Sequence, residues 1–314
     1  MTTTHGRLSL VSSTGFCGYE LIDSGRGRKL ERFGAIVVDR PEAQAIWQPV
    51  RPAAEWARAH AAFSASGEDE EKGRWRIDRP VPDAWPLVVD VGQGTGPAGG
   101  GTTAVTVTIQ CRMQGLWHLG LFPEQHPHWE WMLHRLAASG GARPRVLNLF
   151  AYTGAASLIA AAAGAAVTHV DASKKSIAWG KDNQALSRLG DRNVRWILDD
   201  AAKFAAREVR RGNSYDLILV DPPKFGRGPD GEVWDLFSGL PGLLRDCAAL
   251  LAPGRSAMIL TVYAIRASAL SFDQLMRETL AGRGGAFDTG ELAIMPSSGG
   301  FAVPTSLFTR WEGA

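Results

Sequence analysis

Hydrophobic and polar positions change rhythm once along the chain, near residue 140. Before that point short apolar runs at 35–39, 87–91 and 103–110 have the length and character of strands and are broken by Gly, Pro and charged residues. Only 55–63 and 129–138 carry a helical period there. After Pro144 apolar segments of strand length alternate with amphipathic segments of helix length. Strands are predicted at 145–150, 167–171, 194–198, 216–221 and 256–261, with a C-terminal pair near 292–295 and 305–311. Helices are predicted at 155–163, 174–189, 201–210, 233–251 and 271–281. That alternation marks βαβ units and a parallel sheet. The expectation is therefore a doubly wound α/β domain over residues 119–314, preceded by a smaller β-rich module over 1–118.

Composition narrows the class. The chain has 314 residues, 45% hydrophobic and 21% charged, enough apolar surface for a large core. A formal charge of +2 permits a nucleic-acid partner without requiring one. Cys17, Cys111 and Cys247 are far apart, odd in number and lack a C-x-x-C spacing, so neither a disulfide framework nor a structural zinc site is expected. Residues 1–10 lack the apolar run of a signal peptide, and no stretch approaches the ~20 apolar residues of a membrane span. A soluble cytoplasmic protein follows as the expectation, with no membrane association.

Two glycine-containing loops compete for the role of ligand loop. The first, Asp90-Val91-Gly92-Gln93-Gly94-Thr95-Gly96, matches a nucleotide-loop pattern and follows an apolar run. Such a loop works by opening a helix, whose N-terminal amides and positive dipole end face the ligand. Pro97 and further glycines follow instead, then a β-like run, so residues 92–101 read as a hairpin connection. The second loop, Asn148-Leu149-Phe150-Ala151-Tyr152-Thr153-Gly154, has one glycine but stands between a strand and an Ala-rich helix. Asp171 ends the next strand seventeen residues beyond Gly154, where it either accepts hydrogen bonds from ribose hydroxyls or, with Ser173, caps the following helix. Bulky Phe150 and Tyr152 oppose the close backbone approach that a pyrophosphate needs. An adenosyl ligand without phosphates has no such need.

The motifs Phe150-Ala151-Tyr152-Thr153-Gly154, Val170-Asp171-Ala172-Ser173, Asp199-Asp200-Ala201 and Asp221-Pro222-Pro223-Lys224-Phe225, in that order and spacing, resemble the class I S-adenosylmethionine methyltransferases related to bacterial large-subunit ribosomal RNA enzymes. The likeness runs from about Leu119 to Arg310 and includes the upstream Gly120-Leu121-Phe122-Pro123-Glu124-Gln125 stretch. It implies a Rossmann-like fold with a seven-stranded sheet and S-adenosylmethionine as cofactor. It also implies that Asn148, Phe150, Tyr152, Thr153 and Gly154 surround the methionine part. Asp171, with Ala172 and Ser173, would hold the ribose, and Asp199, Asp200 and Ala201 the adenine. Asp199 and Asp200 also read as first-turn acids of a helix, favoured by its dipole. Asp221, Pro222, Pro223, Lys224 and Phe225 would present a planar base to the methyl group, with the proline carbonyls as acceptors, Phe225 stacking and Lys224 against a phosphate.

Weaker signals complete the reading. Arg26, Arg28, Lys29 and Arg32 form the most concentrated basic stretch of the first module, fit for phosphate or for an ordinary solvated turn. His126, His128 and His134 are not expected to converge on a metal, and Trp129 and Trp131 are expected to pack their helix. In cytosine-C5 enzymes of the resembled group a cysteine follows the fifth strand and attacks the ring. Here that place holds Leu260-Thr261-Val262-Tyr263-Ala264-Ile265. Direct transfer to a base nitrogen of ribosomal or other RNA is therefore expected, without a covalent intermediate. The alternatives are a methyltransferase for a small molecule or protein, a non-catalytic RNA-binding protein of the same fold, and a nicotinamide dehydrogenase, which lacks its G-x-G-x-x-G helix opening.

Overall fold

A computed structural model describes residues 7–66, 69–92, 104–138, 143–263 and 265–313. The N-terminal part is β-rich: β1 (Ser9–Ser13), β2 (Tyr19–Gly25), β3 (Arg28–Phe33), β4 (Ile36–Pro41), the one-turn helix α1 (Ala53–Trp56), β5 (Ala61–Ser66), β6 (Asp69–Ile77), β7 (Ala84–Val91) and β8 (Val105–Arg112). Strands β2 to β6 form one sheet in sequential order, antiparallel except for the β4 and β5 pair. Strands β7 and β8 pair antiparallel along their full length, Val91 opposite Val105, as the hairpin reading required. Most of the connecting stretch 92–101 lies outside the described residues.

The second part alternates as expected: α2 (His126–Ala137), β9 (Arg145–Leu149), α3 (Ala155–Ala162), β10 (Ala166–Asp171), α4 (Lys174–Leu186), β11 (Val194–Leu198), α5 (Ala201–Arg210) and β12 (Leu217–Val220). After these come the short pair β13 (Phe225–Arg227) and β14 (Val233–Asp235), then α6 (Leu236–Leu250), β15 (Ala257–Tyr263), α7 (Ala269–Thr279), β16 (Ala286–Ile294) and β17 (Val303–Glu312). The large sheet has the order β1-β16-β17-β15-β12-β9-β10-β11, with β17 antiparallel to both neighbours. The seven strands expected are all present in this Rossmann-like arrangement, and β1 adds an eighth at one edge, parallel to β16. Strand order reverses between β9 and β12, the place where such sheets open a crevice at their carboxyl ends.

Alternation along the strands splits the interior into two cores. Val146, Leu217, Leu219, Ala257 and Ile259 join the core shared with α3, the β7–β8 hairpin and the N-terminal sheet. Leu147, Leu149, Ile218, Val220, Met258 and Leu260 join the core with α5, α6 and α7. The β7–β8 hairpin is tied to α4 by side chains that satisfy the backbone of β8. Ser187 Oγ accepts Thr108 N at 2.9 Å, Asn183 Oδ1 accepts Gln110 N at 2.8 Å, and Trp179 Nε1 donates to Gln110 O at 2.8 Å. These bonds cover what would otherwise be an open strand edge.

Three predicted elements are corrected. The helix expected at 55–63 is confined to Ala53–Trp56, because Ala61 and Ala62 pair with Val38 and Asp39 while Phe63 pairs with Trp75; long-range sheet pairing overrides the local helical period. The helix expected at 233–251 starts at Leu236, since Val233–Asp235 pairs with Phe225–Arg227 and Asp235 Oδ1 accepts the Ser238 amide as an N-cap. The helix predicted from 129 begins at His126, with Pro127 in its first turn, where a missing amide costs nothing.

Candidate functional site

The residues singled out by sequence line the carboxyl edge of β12, β9, β10 and β11, four adjacent parallel strands. At about 4.8 Å per strand this edge spans roughly 14 Å, the scale of a nucleoside joined to an amino acid. The β9 loop is wound tightly: Phe150 and Tyr152 adopt left-handed backbone with φ of 56° and 50°, and Gly154 follows at 87°. Only glycine takes that conformation without strain, and a Cβ at Gly154 would also lie 3.0 Å from the Trp196 ring. The strain at Phe150 and Tyr152 is held by bonds: Tyr152 N donates to Asp171 Oδ2 at 2.8 Å, Ala151 N to Val170 O at 3.1 Å, and Gly154 N to Ala151 O at 3.1 Å.

Those bonds test the kind of ligand the loop can take. The amides of Ala151, Tyr152 and Gly154 are engaged internally, which takes three donors of the turn away from a pyrophosphate. A ligand held instead by carboxylates at the strand ends fits. Asp171 is half-buried and accepts from Tyr152 N and Ser173 N, both at 2.8 Å, leaving each oxygen a further lone pair for a diol. Burial pushes its carboxyl up to about 6. Ser173, rather than Asp171, caps α4 by accepting Ser176 N at 3.2 Å. Ala172 is half-buried between them.

Other expected residues divide. Buried Asp200 caps α5 through Oδ1, which accepts Lys203 N at 2.9 Å, and its second oxygen remains for a ligand donor; Ala201 is the buried first residue of that helix. Asp199 forms an ion pair with Arg207. Thr153 is buried and donates to Gly120 O at 2.6 Å, tying the β9 loop to the segment before α2. Asn148 is corrected: it faces α3 inside the sheet, donating to Ser157 Oγ at 2.9 Å, with His169 Nδ1 3.0 Å further along. Strand alternation puts its side chain on the α3 face of the sheet, with Val146, where Ser157 engages it.

Asp221 follows β12 and is half-buried. Burial, then the charge of Glu124, push its carboxyl up to about 7. Gln125 Nε2 donates to Asp221 Oδ2 at 3.1 Å. Pro223 O accepts the Trp234 indole at 2.7 Å and keeps a second lone pair. Trp234 also packs on Phe150, with ring centroids 4.9 Å apart, so the two loops brace each other. Phe225 is 62% exposed with Lys224 Nζ 5.2 Å above its ring. An aromatic wall runs from Tyr152 through Phe122 and His118 to Trp117, with successive centroids 5.4, 4.9 and 4.8 Å apart, and Tyr263 at the end of β15 lies 6.3 Å from Trp117.

Sequence reasoning passed over Glu124, Gln125, Trp234 and the wall. The only signal for the first two was their place in the Gly120–Gln125 stretch, far from Asp221 along the chain. The basic stretch is also partly redirected. Lys29 is buried against Glu42 at 3.2 Å and lies 5.1 Å from the Trp117 ring, while Arg28 pairs with Asp39 at 2.6 Å. Strand β3 turns Lys29 inward, so it cannot meet a phosphate. Arg26 and Arg32 stay exposed, held by Gln48 and Glu20. His126 Nε2 lies 3.0 Å from Asp90 O and His128 Nδ1 2.9 Å from Gln125 Oε1, and Trp129 is buried in the first core.

Comparison with known proteins agrees with this geometry. A family model described as S-adenosylmethionine-dependent methyltransferase matches residues 118–287. The crystal structure of a SAM-dependent methyltransferase from Agrobacterium tumefaciens superposes with a TM-score of 0.87 at 45% identity, covering 99% of this chain and 97% of that one. A protein described as a methyltransferase and crystallised with S-adenosylhomocysteine shares the fold at 19% identity and a TM-score of 0.69, over 95% of this chain and 76% of that one. Among curated proteins, ribosomal RNA large subunit methyltransferase K/L of Hahella chejuensis is 39% identical over 137 residues, 43% of this chain and 18% of that protein. The protein of the same name from Shewanella baltica is 36% identical over 155 residues, 48% and 21% of the two chains. The chain thus spans about a fifth of the length of these curated relatives.

Proposed function

Because this chain belongs to the S-adenosylmethionine-dependent methyltransferases, we propose that it methylates a base nitrogen in RNA, with ribosomal RNA as the substrate class, by direct transfer without a covalent enzyme intermediate. The observation that carries this reading is Asp221: a half-buried carboxylate that follows β12 at the switch point, with Gln125 on one oxygen and the carbonyls of Pro222 and Pro223 next to it in the chain. An amine-bearing base has the donors for those acceptors. The name of the relatives from Hahella chejuensis and Shewanella baltica supports RNA as the acceptor.

S-adenosylmethionine supplies a methyl group on a sulfonium, electrophilic enough that the acceptor needs alignment more than activation. In our reading Asp171 accepts the ribose hydroxyls, Asp200 the adenine amino group, and the loop from Phe150 to Gly154 surrounds the methionine part. Asp221 and Pro222 O accept from the target amine and turn its lone pair toward the methyl. Phe225 stacks on a neighbouring base, with Lys224 near its phosphate. Exposed Arg26 and Arg32 meet the RNA backbone, and residues 1–118 act as the module that presents the substrate. A small-molecule or protein acceptor is the competing reading. Incubation of purified protein with radiolabelled cofactor and fractionated cellular RNA, followed by nucleoside analysis, tests the proposal. Label in an N-methylated nucleoside is the expected result, and label confined to small molecules or protein would overturn it.

A further inference from the structure

We propose that Gln125 is a positioning residue for Asp221, held in a single amide orientation by the Nδ1 proton of His128 so that the carboxylate always faces a donor. Gln125 bridges the two groups: its Nε2 lies 3.1 Å from Asp221 Oδ2 and its Oε1 2.9 Å from His128 Nδ1. An amide presents a donor at one end and an acceptor at the other, so the partner at one end decides what the other end offers. His128 makes that decision. Its ring is buried, Nε2 has no hydrogen-bond partner, and Nδ1 has Gln125 Oε1 at 2.9 Å and Thr261 Oγ1 at 3.3 Å. A proton on Nε2 would be a buried donor without an acceptor while the bare Nδ1 faced an amide oxygen. A proton on Nδ1 donates to Gln125, and only a weaker orphan, the bare Nε2, remains.

The imidazole keeps one neutral tautomer over the working range. Burial, then the Arg310 guanidinium, hold its pKa well below the usual histidine value. Arg310 of β17 lies over the Phe308 ring, which packs edge-on against His128 at 5.2 Å. The charged groups around Asp221 work in the opposite sense to the Gln125 donor. Buried Glu124 precedes Gln125 and raises Asp221; burial pushes the Glu124 carboxyl up in turn, with Lys29 of β3 and Arg40 of β4 acting against that. With the carboxyl already up to about 7, the Gln125 hydrogen bond favours its ionised, acceptor-only form, which an amine substrate requires.

This role rests on Asp221 being the acceptor carboxylate of the proposed reaction, but its test needs no substrate. Full-length protein labelled with carboxyl-13C aspartate is titrated by NMR, with Asp221→Asn identifying the resonance. Thermal midpoint and cofactor affinity establish that each variant is folded. Gln125→Leu is expected to raise the Asp221 midpoint by about one pH unit, since a donor to the charged form is lost. His128→Phe should move it the same way by less. His128→Asn, which restores an N–H near the Nδ1 position, should return it to the wild-type value. An unchanged midpoint in folded Gln125→Leu overturns the proposal, as does a His128→Asn variant that behaves like His128→Phe. Whether RNA accepts the methyl group affects none of these readings. If the proposed RNA reaction holds, the acid limb of its pH profile moves up with the midpoint.

Discussion

Asp171 Oδ2 lies 2.8 Å from the amide nitrogen of Tyr152, a bond between two residues whose strands are neighbours in the sheet. It fixes the left-handed turn of the β9 loop and orients the carboxylate at once, so the loop and the carboxylate on β10 form one unit.

In the proposed ribose role of Asp171, that unit is expected to make cofactor binding pH-dependent. Ribose hydroxyls donate to an ionised carboxylate, and burial pushes Asp171 up to about 6. Affinity for S-adenosylmethionine is expected to fall as pH drops from 7 to 5. Asp171→Ala should lose about 1.5–3 kcal/mol of binding at neutral pH, and Asp171→Asn should bind weakly and lose the pH dependence. The sign for stability is opposite. A carboxyl raised above its ordinary 3.8 contributes stability that is full at low pH and lost as pH rises through about 6, so Asp171→Asn gains on wild type from pH 4 to 8 in the free protein. Calorimetry and thermal unfolding across that range check both; a wild-type affinity flat between pH 5 and 7 would contradict the ribose role.

Asp200 caps α5 and, in the proposed reading, also accepts from the adenine; a pair of substitutions separates the two. Asp200→Ala removes the α5 cap, at a cost of about 1 kcal/mol in stability, as well as the second acceptor. Asp200→Ser keeps a capping oxygen and should restore the thermal midpoint while cofactor affinity stays low. Recovery of affinity together with stability would show that only the cap matters.

Serine at Gly92, Gly94 and Gly96 is expected to leave cofactor affinity intact, because β7 and β8 pair as a hairpin and the next element among the described residues is a strand. A large loss, read by calorimetry, would make this loop part of the site.

Of the three cysteines, exposed Cys17 lies between β1 and β2 and the other two are enclosed. Cys111 is fully buried in the first core, its thiol pushed up to about 12 by burial, and Cys247 lies buried in α6 with its thiol pushed up as well. Cys247→Ala is expected to leave turnover unchanged apart from a modest loss of stability. RNA containing 5-fluorocytosine should form no denaturation-resistant adduct, and an adduct on a gel would falsify direct transfer.

Lys29→Met should lower stability by about 3–5 kcal/mol, the cost of leaving one charge of a buried pair uncompensated. Its partner Glu42 is buried with it. Arg26→Ala and Arg32→Ala, on the exposed side of the same hairpin, should barely move the thermal midpoint and should instead weaken RNA binding. A Lys29→Met protein as stable as wild type would mean that the ion pair contributes nothing.

The chain by itself determined the α/β alternation, the seven strands, the strand pair flanking the glycine-rich loop, the strand–turn–helix setting of the β9 loop, and the carboxylates at the ends of β10, β11 and β12. Each of these is a local matter: a strand, a turn and a helix start occupy consecutive residues, and their order carries the carboxylates to one edge. Tertiary structure decided what local pattern cannot reach. Residues 61–66 became a strand because β4 and β6 offer partners, although the helical period there is real. Asn148 faces inward because one face of β9 packs on α3. Lys29 is enclosed because β3 turns it toward Glu42 and Trp117. The contact between Gln125 and Asp221 joins residues 96 apart. Sequence periodicity records which face of an element is apolar; which side chain meets another across so long a separation depends on how the elements pack, and that is settled by the folded chain as a whole.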